Sequence, residues 1–256
     1  AAVTLKQRGF DVVVFDKRDE IGGNLHVAKK PPFKGKFEWA IDYYKSMAKK
    51  LNITMKLGKE VTAQEVLALK PYSILVATGS NVISIPLEGL DQVQTVQAHD
   101  VLANDMQFAN KKVVVIGGGI TGLETALYIN RQGTNQVSVV DMLPEWPVDM
   151  LDMRYQNEAL LEVRHCNDQG VALFYNNKVV KFADGKLFIE STKDGEVKEL
   201  PADVIVLSVG VKPNDALWQE LLASGHPSVW KAGDAIATGK INKAVLHGSK
   251  FGYSLN

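Results

Sequence analysis

Residues Val113 to Gly122 read Val-Val-Val-Ile-Gly-Gly-Gly-Ile-Thr-Gly, and no other stretch limits the fold so tightly. Four consecutive apolar residues predict a strand buried on both faces, as in a parallel sheet. The helix-prone Leu123 to Asn130 follows at once, so Gly117, Gly119 and Gly122 stand at the turn from strand to helix with G-x-G-x-x-G spacing. A side chain would obstruct each position. Gly117 makes the tight turn, Gly119 lets the backbone approach a pyrophosphate, and Gly122 lets helix and strand pack closely. The unpaired N–H groups at the positive end of the helix then form an anion site.

The next strand, Gln136 to Val140, ends in Asp141, nineteen residues beyond Gly122. An acid at that place hydrogen-bonds a ribose 2′-hydroxyl, and strand, glycines, helix and acid together make a dinucleotide-binding fingerprint. Met142-Leu143-Pro144 offers no Arg or Lys to a 2′-phosphate, which favours NAD(H) over NADP(H).

The same grammar of helix, strand and acid occurs at the start of the chain. Ala1 to Arg8 reads as part of an amphipathic helix closed by Gly9, and Asp11 to Phe15 as a buried strand ending in Asp16. The repeat predicts two nucleotide-binding folds, the first without its own first strand and glycine loop. Gly22-Gly23 is a loop that admits close backbone approach. Phe37 to Leu51 is predicted helical, with Phe37, Ile41, Tyr44, Ala48 and Leu51 facing the core, and Thr62-Ala63-Gln64-Glu65 is a capping box. Ser73 to Ala77 is a strand delivering Thr78-Gly79, and Asp203 to Leu207 another delivering Ser208-Val209-Gly210, at the ends where open α/β sheets bind ligands. From Val171 four strands separated by Ala183-Asp184-Gly185 and Lys193-Asp194-Gly195 turns predict an antiparallel ribbon, Val171 to Tyr175 included. A last short strand delivers Gly233-Asp234 before a final helix.

Composition narrows the function. In 256 residues, 29 Lys plus Arg balance 29 Asp plus Glu, so no global field draws the chain to nucleic acid or an anionic membrane. The single Cys166 excludes an intrachain disulfide, a C-x-x-C redox pair and an iron–sulfur cluster held by this chain alone; it reads as a bystander. No apolar run reaches the roughly 20 residues that span a bilayer, and the lack of targeting segments and disulfides is the ground for expecting a soluble, cytoplasmic protein. The five His residues are scattered along the sequence and suggest no catalytic constellation.

Lys17 to Leu25 with Pro31-Pro32-Phe33, Ala77-Thr78-Gly79, Gly117 to Glu124, Val209-Gly210 with Pro213-Asn214, and Ala232 to Ala235 occur in the order seen in flavoproteins with two dinucleotide-binding domains. More narrowly, the chain resembles the C-terminal portion of 2,4-dienoyl-CoA reductase, 2-enoate reductase and trimethylamine dehydrogenase. The resemblance implies an α/β fold of two Rossmann-like domains, similar to glutathione reductase, with parallel sheets and an antiparallel ribbon, the first domain truncated at its N-terminus. It implies an FAD-binding domain at 1–94 and 211–256, with Asp16, Lys17, Gly22, Gly23, Asn24, Thr78, Gly79, Gly233 and Asp234 at the cofactor. An NAD(H)-binding domain at 95–210 would use Gly117, Gly119, Gly122, Glu124, Asp141, Val209 and Gly210. In such relatives hydride passes from NAD(P)H to FAD, and electrons pass on through a 4Fe-4S cluster to FMN in an N-terminal barrel. The expectation is therefore a fragment of a larger reductase, with NADH and that barrel as partners, which alone holds FAD poorly and reduces no enoate; its oligomeric state stays open. A structural ADP site, as in trimethylamine dehydrogenase, and another pyridine-nucleotide flavoprotein reductase are the alternatives, and the absent C-x-x-C counts against a disulfide reductase.

Overall fold

The computed structural model describes residues 1–144 and 153–256. In chain order the elements begin α1 (Ala2–Gln7), β1 (Val13–Phe15), α2 (Leu25–Ala28), α3 (Phe37–Lys50), β2 (Thr54–Lys56), α4 (Ala63–Ala68), β3 (Ile74–Val76) and β4 (Ser80–Val82). Then come β5 (Gln94–Gln97), α5 (Ala98–Ala103), β6 (Lys112–Ile116), α6 (Ile120–Asn130), β7 (Gln136–Val140), α7 (Met153–Asp168) and β8 (Ala172–Phe174). The ribbon strands β9 (Asn177–Ala183), β10 (Lys186–Ser191) and β11 (Val197–Pro201) precede β12 (Val204–Leu207), and β13 (Val211–Pro213), α8 (Ala216–Ala223), β14 (Val229–Lys231) and α9 (Ile241–Ser254) complete the series. They form two compact units, one of Ala1–His26, Lys36–Ile83 and Val211–Asn256, the other of Val27–Gly35 and Ser84–Gly210.

The second unit is built on a five-stranded sheet in the order β5-β12-β6-β7-β8, with every neighbouring pair parallel. Its central strands read as unbroken apolar runs because both faces are covered. Val113 and Val115 of β6 and Val204 and Val206 of β12 pack with Leu123, Ala126 and Leu127 of α6. The alternate residues, Val114, Ile116, Ile205 and Leu207, face Phe182, Leu187 and Ile189 of the ribbon. In that ribbon β9, β10 and β11 are antiparallel, and the β9–β10 turn places Asp184 at φ 52° and Gly185 at φ 74°, as a type I′ hairpin requires.

Ala172–Phe174 departs from the predicted ribbon. As β8 it pairs parallel with β7, Val139 opposite Leu173. The reason is the crossover: α7 carries the chain back over the sheet, and a strand reached through a helix returns parallel.

The first unit is differently made. Its strands form separate two-stranded sheets, β1 with β2, β3 with β14, and β4 with β13, the first two parallel and the last antiparallel. Val13 of β1 is 44% exposed, and the cluster on β3 contains only Ile74, Val76 and Leu221 as fully buried members. Arg8, which caps the C-terminus of α1, donates to the Gly252 carbonyl at 2.8 Å and the Leu255 carbonyl at 2.6 Å, which fixes α9 on α1. The capping box at α4 forms as predicted, with Glu65 N–H donating to Thr62 Oγ1 at 3.3 Å and Thr62 N–H to Glu65 Oε2 at 3.0 Å. In α3, Ile41 and Ala48 are buried, whereas Tyr44, predicted to face the core, is exposed; its ring keeps the hydroxyl in water.

The compact units divide at Ile83/Ser84. Ile85, Leu87, Leu90 and Val93 pack on the ribbon side of the second unit's core, so the stretch before β5 already belongs there. Val27–Gly35 also goes with the second unit. Among the described residues no helix is long and apolar enough to cross a membrane.

Candidate nucleotide site

The strand β6 ends where Gly117 N–H donates to the Val140 carbonyl at 2.8 Å. Gly117 has φ +109°, and a Cβ there would stand 2.2 Å from the Ser208 carbonyl oxygen. At Gly122 a Cβ would lie 1.9 Å from the Gly117 carbonyl oxygen, so the first turn of α6 rests directly on the end of the strand. Gly119, the N-cap of α6, differs from both: no atom lies within 4 Å of its Cβ position. As a glycine it supplies no side-chain acceptor to the first-turn N–H groups, which leaves them for an anion.

Asp141 closes the loop from the other side. Gly118 N–H donates to its Oδ2 at 2.6 Å and Leu143 N–H to its Oδ1 at 2.8 Å. Each oxygen keeps acceptor capacity for a ribose hydroxyl, since an ionised carboxylate has about four lone-pair sites. The parallel register puts Asp141 beside the glycine loop, because Ile116 of β6 is opposite Val140 of β7. At the end of β12 the Ser208 N–H donates to the Ile116 carbonyl at 2.8 Å, which brings Val209 beside the same loop. Val209 is half-buried on the ribbon side of the core, and Gly210 is exposed.

Glu124 lies on the second turn of α6 and is engaged by a residue that sequence inspection missed. Lys34 Nζ stands 2.9 Å from Glu124, 2.6 Å from Glu158 and 3.9 Å from Glu162. Burial pushes the Glu124 carboxyl up, with Lys34 pulling against it. Burial opposes the Lys34 charge, and hydrogen bonds to Glu158 and Glu124 more than offset this, holding the ammonium above its ordinary range. Nothing local in Pro31-Pro32-Phe33-Lys34-Gly35 announces the cluster. Cys166, fully buried on α7, has its thiol pushed up to about 12 by burial, which suits packing and not nucleophilic chemistry.

In the first unit the predicted residues fall into two groups. Asp16 follows β1, its Oδ1 accepting the Arg18 N–H at 2.9 Å, and Lys17 is exposed. Gly22 and Gly23 form the turn into α2, with the Gly22 carbonyl accepting from Leu25 N–H at 3.0 Å and Asn24 exposed. The second group is assembled by contacts far apart in the chain. Thr78 Oγ1 donates to the Asn214 carbonyl at 2.5 Å, and Asn214 N–H donates to the Gly79 carbonyl at 3.0 Å. Ser80 Oγ donates to Asp234 Oδ2 at 3.3 Å, and Gly239 N–H to Asp234 Oδ1 at 3.0 Å. Gly233 N–H donates to His247 Nδ1 at 3.2 Å. Ser80 and His247 carried no signal as isolated residues.

A model of the pyridine nucleotide-disulphide oxidoreductase family matches residues 1–247. An NADH oxidase of Thermoanaerobacter brockii is 30% identical over 263 residues, covering 100% of this chain and 39% of that protein. A bilirubin reductase of Mediterraneibacter gnavus is 33% identical over 84% of this chain and 32% of its own length. A 2-naphthoyl-CoA reductase in complex with 2-naphthoyl-CoA superposes with a TM-score of 0.90 at 27% identity, covering 100% of this chain and 38% of that one. The chain thus spans less than two-fifths of the length of each of these relatives.

Proposed function

Because the chain belongs to the pyridine nucleotide-disulphide oxidoreductase family and is a flavin- and pyridine-nucleotide-dependent oxidoreductase module, we propose that it is the NADH- and FAD-binding electron-transfer portion of a larger enoate- or dienoyl-type reductase. The single observation that carries the NADH site is the Gly118 N–H bond to Asp141, which locks the glycine loop and the ribose acid into one rigid corner above a buried strand. Gly117, Gly119 and Gly122 would seat the pyrophosphate on α6, Asp141 the adenosine ribose, and Val209 and Gly210 would lie toward the nicotinamide, with Glu124 on the helix behind. The open space at the Cβ position of Gly119 fits an approaching phosphate.

For FAD, Asp16 with Lys17 would hold the adenosine ribose, and Gly22, Gly23 and Asn24 would border the cofactor. Thr78, Gly79, Gly233 and Asp234 would line its far part. The empty volume at the Cβ position of Gly23 and the polar pairing of Ser80 with Asp234 support that assignment. FAD held by these residues would supply a carrier between the two-electron chemistry of NADH and the 4Fe-4S and FMN centres held elsewhere in the whole protein. The residues of this chain bind, orient and set the electrostatics; the redox chemistry belongs to the cofactors.

Titration of the purified chain with NADH, NADPH and ADP, beside an Asp141→Ala variant, tests the reading. The expected result is tighter binding of NADH than of NADPH, with the variant losing about tenfold for NADH and with it the preference. ADP binding as tightly as NADH, with the variant weakening both equally, would replace the reductase reading by a structural-nucleotide site.

A further inference from the structure

Lys34 is the one cation within ion-pair distance of Glu124 among the described residues, and Glu124 sits five residues past the N-cap of α6. At 1.5 Å per residue that is about 7.5 Å along the helix axis, inside a Debye length of an anion at the helix N-terminus. Three carboxylates converge on this lysine: Glu124 from α6, and Glu158 and Glu162 from α7, Glu162 being 4% exposed. On α7, His165 Nδ1 is 3.6 Å from Glu162 Oε2, and the charge of Glu162 also acts on the buried Cys166 thiol. Lys34 is carried by Val27–Gly35, a strap fixed by buried Val27 and Pro31 and by Phe33. The Phe33 ring lies 4.5 Å from the Arg131 guanidinium and 5.0 Å from the His165 ring.

We propose that Lys34 sets the affinity of the α6 N-terminus for its dinucleotide, by neutralising the Glu124 carboxylate on the helix flank, which would otherwise repel the pyrophosphate. The inference rests on the NADH reading above and gives it a control residue that touches no ligand. The field of the cluster acts through the partly buried helix flank, where salt screens it weakly. With Lys34 in place an ammonium stands 2.9 Å from Glu124; without it no other cation of the described residues lies within ion-pair distance of Glu124, and the helix end that must receive an anion sits beside that carboxylate. Coupling of this kind is reciprocal, so a bound dinucleotide also tightens the strap.

The test is NADH titration of the 256-residue chain, from pH 5 to 8, for wild type, K34M, K34R and K34M/E124Q. K34M should bind on the order of tenfold more weakly at pH 8. The deficit should shrink as pH falls, because Glu124, already pushed up by burial, takes up its proton above the ordinary carboxylate range. K34R should bind as wild type, and K34M/E124Q should recover much of the loss. K34M binding like wild type at every pH overturns the inference, as does a loss that is uniform in pH and not recovered in the double variant, which marks a merely structural lysine. Should K34M fail to fold, hydrogen exchange on wild type decides: NADH must slow the amides of Lys30 and Lys34, which donate to the Val27 and Pro31 carbonyls, and unchanged exchange overturns the proposal. A wild-type chain that binds no NADH at all removes the nucleotide reading and this inference with it.

Discussion

The two units use one sequence grammar and reach different degrees of completion. In the second, Asp141 ends a strand flanked on both sides, β6 and β8, and its carboxylate takes two backbone N–H groups. In the first, Asp16 ends a strand with one neighbour, β2, and its Oδ1 takes the Arg18 N–H. Parallel strands hold firmly when both faces and both edges are covered, and isolated two-stranded pairs are marginal. The difference teaches that a nucleotide motif is only as rigid as the sheet behind it. The second unit presents a preformed corner; the first presents its acid and glycine turn on thinner support.

The largest expected effect separates the units by a single methyl group. Gly122→Ala places a Cβ 1.9 Å from the backbone oxygen of Gly117, which cannot yield, so about 3 kcal/mol of stability and NADH binding should be lost together. Gly23→Ala meets nothing within 4 Å and carries only the strain of φ +51°, about 1 kcal/mol. Thermal unfolding of both variants reads the contrast, and equal shifts would erase it.

Hydrogen exchange sharpens the comparison next. Amides of β6 and β12, buried at the centre of the five-stranded sheet, should exchange only through global opening. Those of β1 and β14 should open locally, at roughly 2 kcal/mol less, which is about thirtyfold faster. Uniform protection across both units would show that the pairs of the first unit are held as firmly as the full sheet.

The smallest effect is in proton affinity, where the units move in opposite directions. Glu65, exposed at the α4 cap, is held down to about 2 by its hydrogen bonds to Lys59 and Thr62. Its folded value lies below its unfolded one, so its support for the cap is present above the ordinary carboxylate range and fades as pH falls toward about 2. Glu124 in the second unit is pushed up by burial and protonates at higher pH than an ordinary glutamate. Carboxyl NMR titration should find Glu124 titrating above Glu65, and the reverse order would contradict the charge environments described.

Much of the fold was legible because its signals are local. The buried run Val113 to Ile116, the glycine spacing after it, the capping box at Thr62 and the hairpin turn at Asp184-Gly185 all act within a few residues, where backbone sterics and side-chain period decide the outcome. β8 was misread because a short apolar run does not declare its neighbour; the crossover through α7 does. Tyr44 was misread because an amphipathic ring satisfies the helical period without being buried.

By itself the sequence determined the strand, loop and helix of the fingerprint and the acid that follows the next strand, since each depends on residues adjacent in the chain. Only the tertiary structure decided that Val27–Gly35 leaves its sequence neighbours for the second unit, that Lys34 meets Glu158 across 124 positions, and that Ser80 meets Asp234 across 154. A charge or hydroxyl carries no record of its distant partner. Which groups meet is settled by how the helices and sheets pack, and packing minimises buried uncompensated charge only after the chain has brought those elements together.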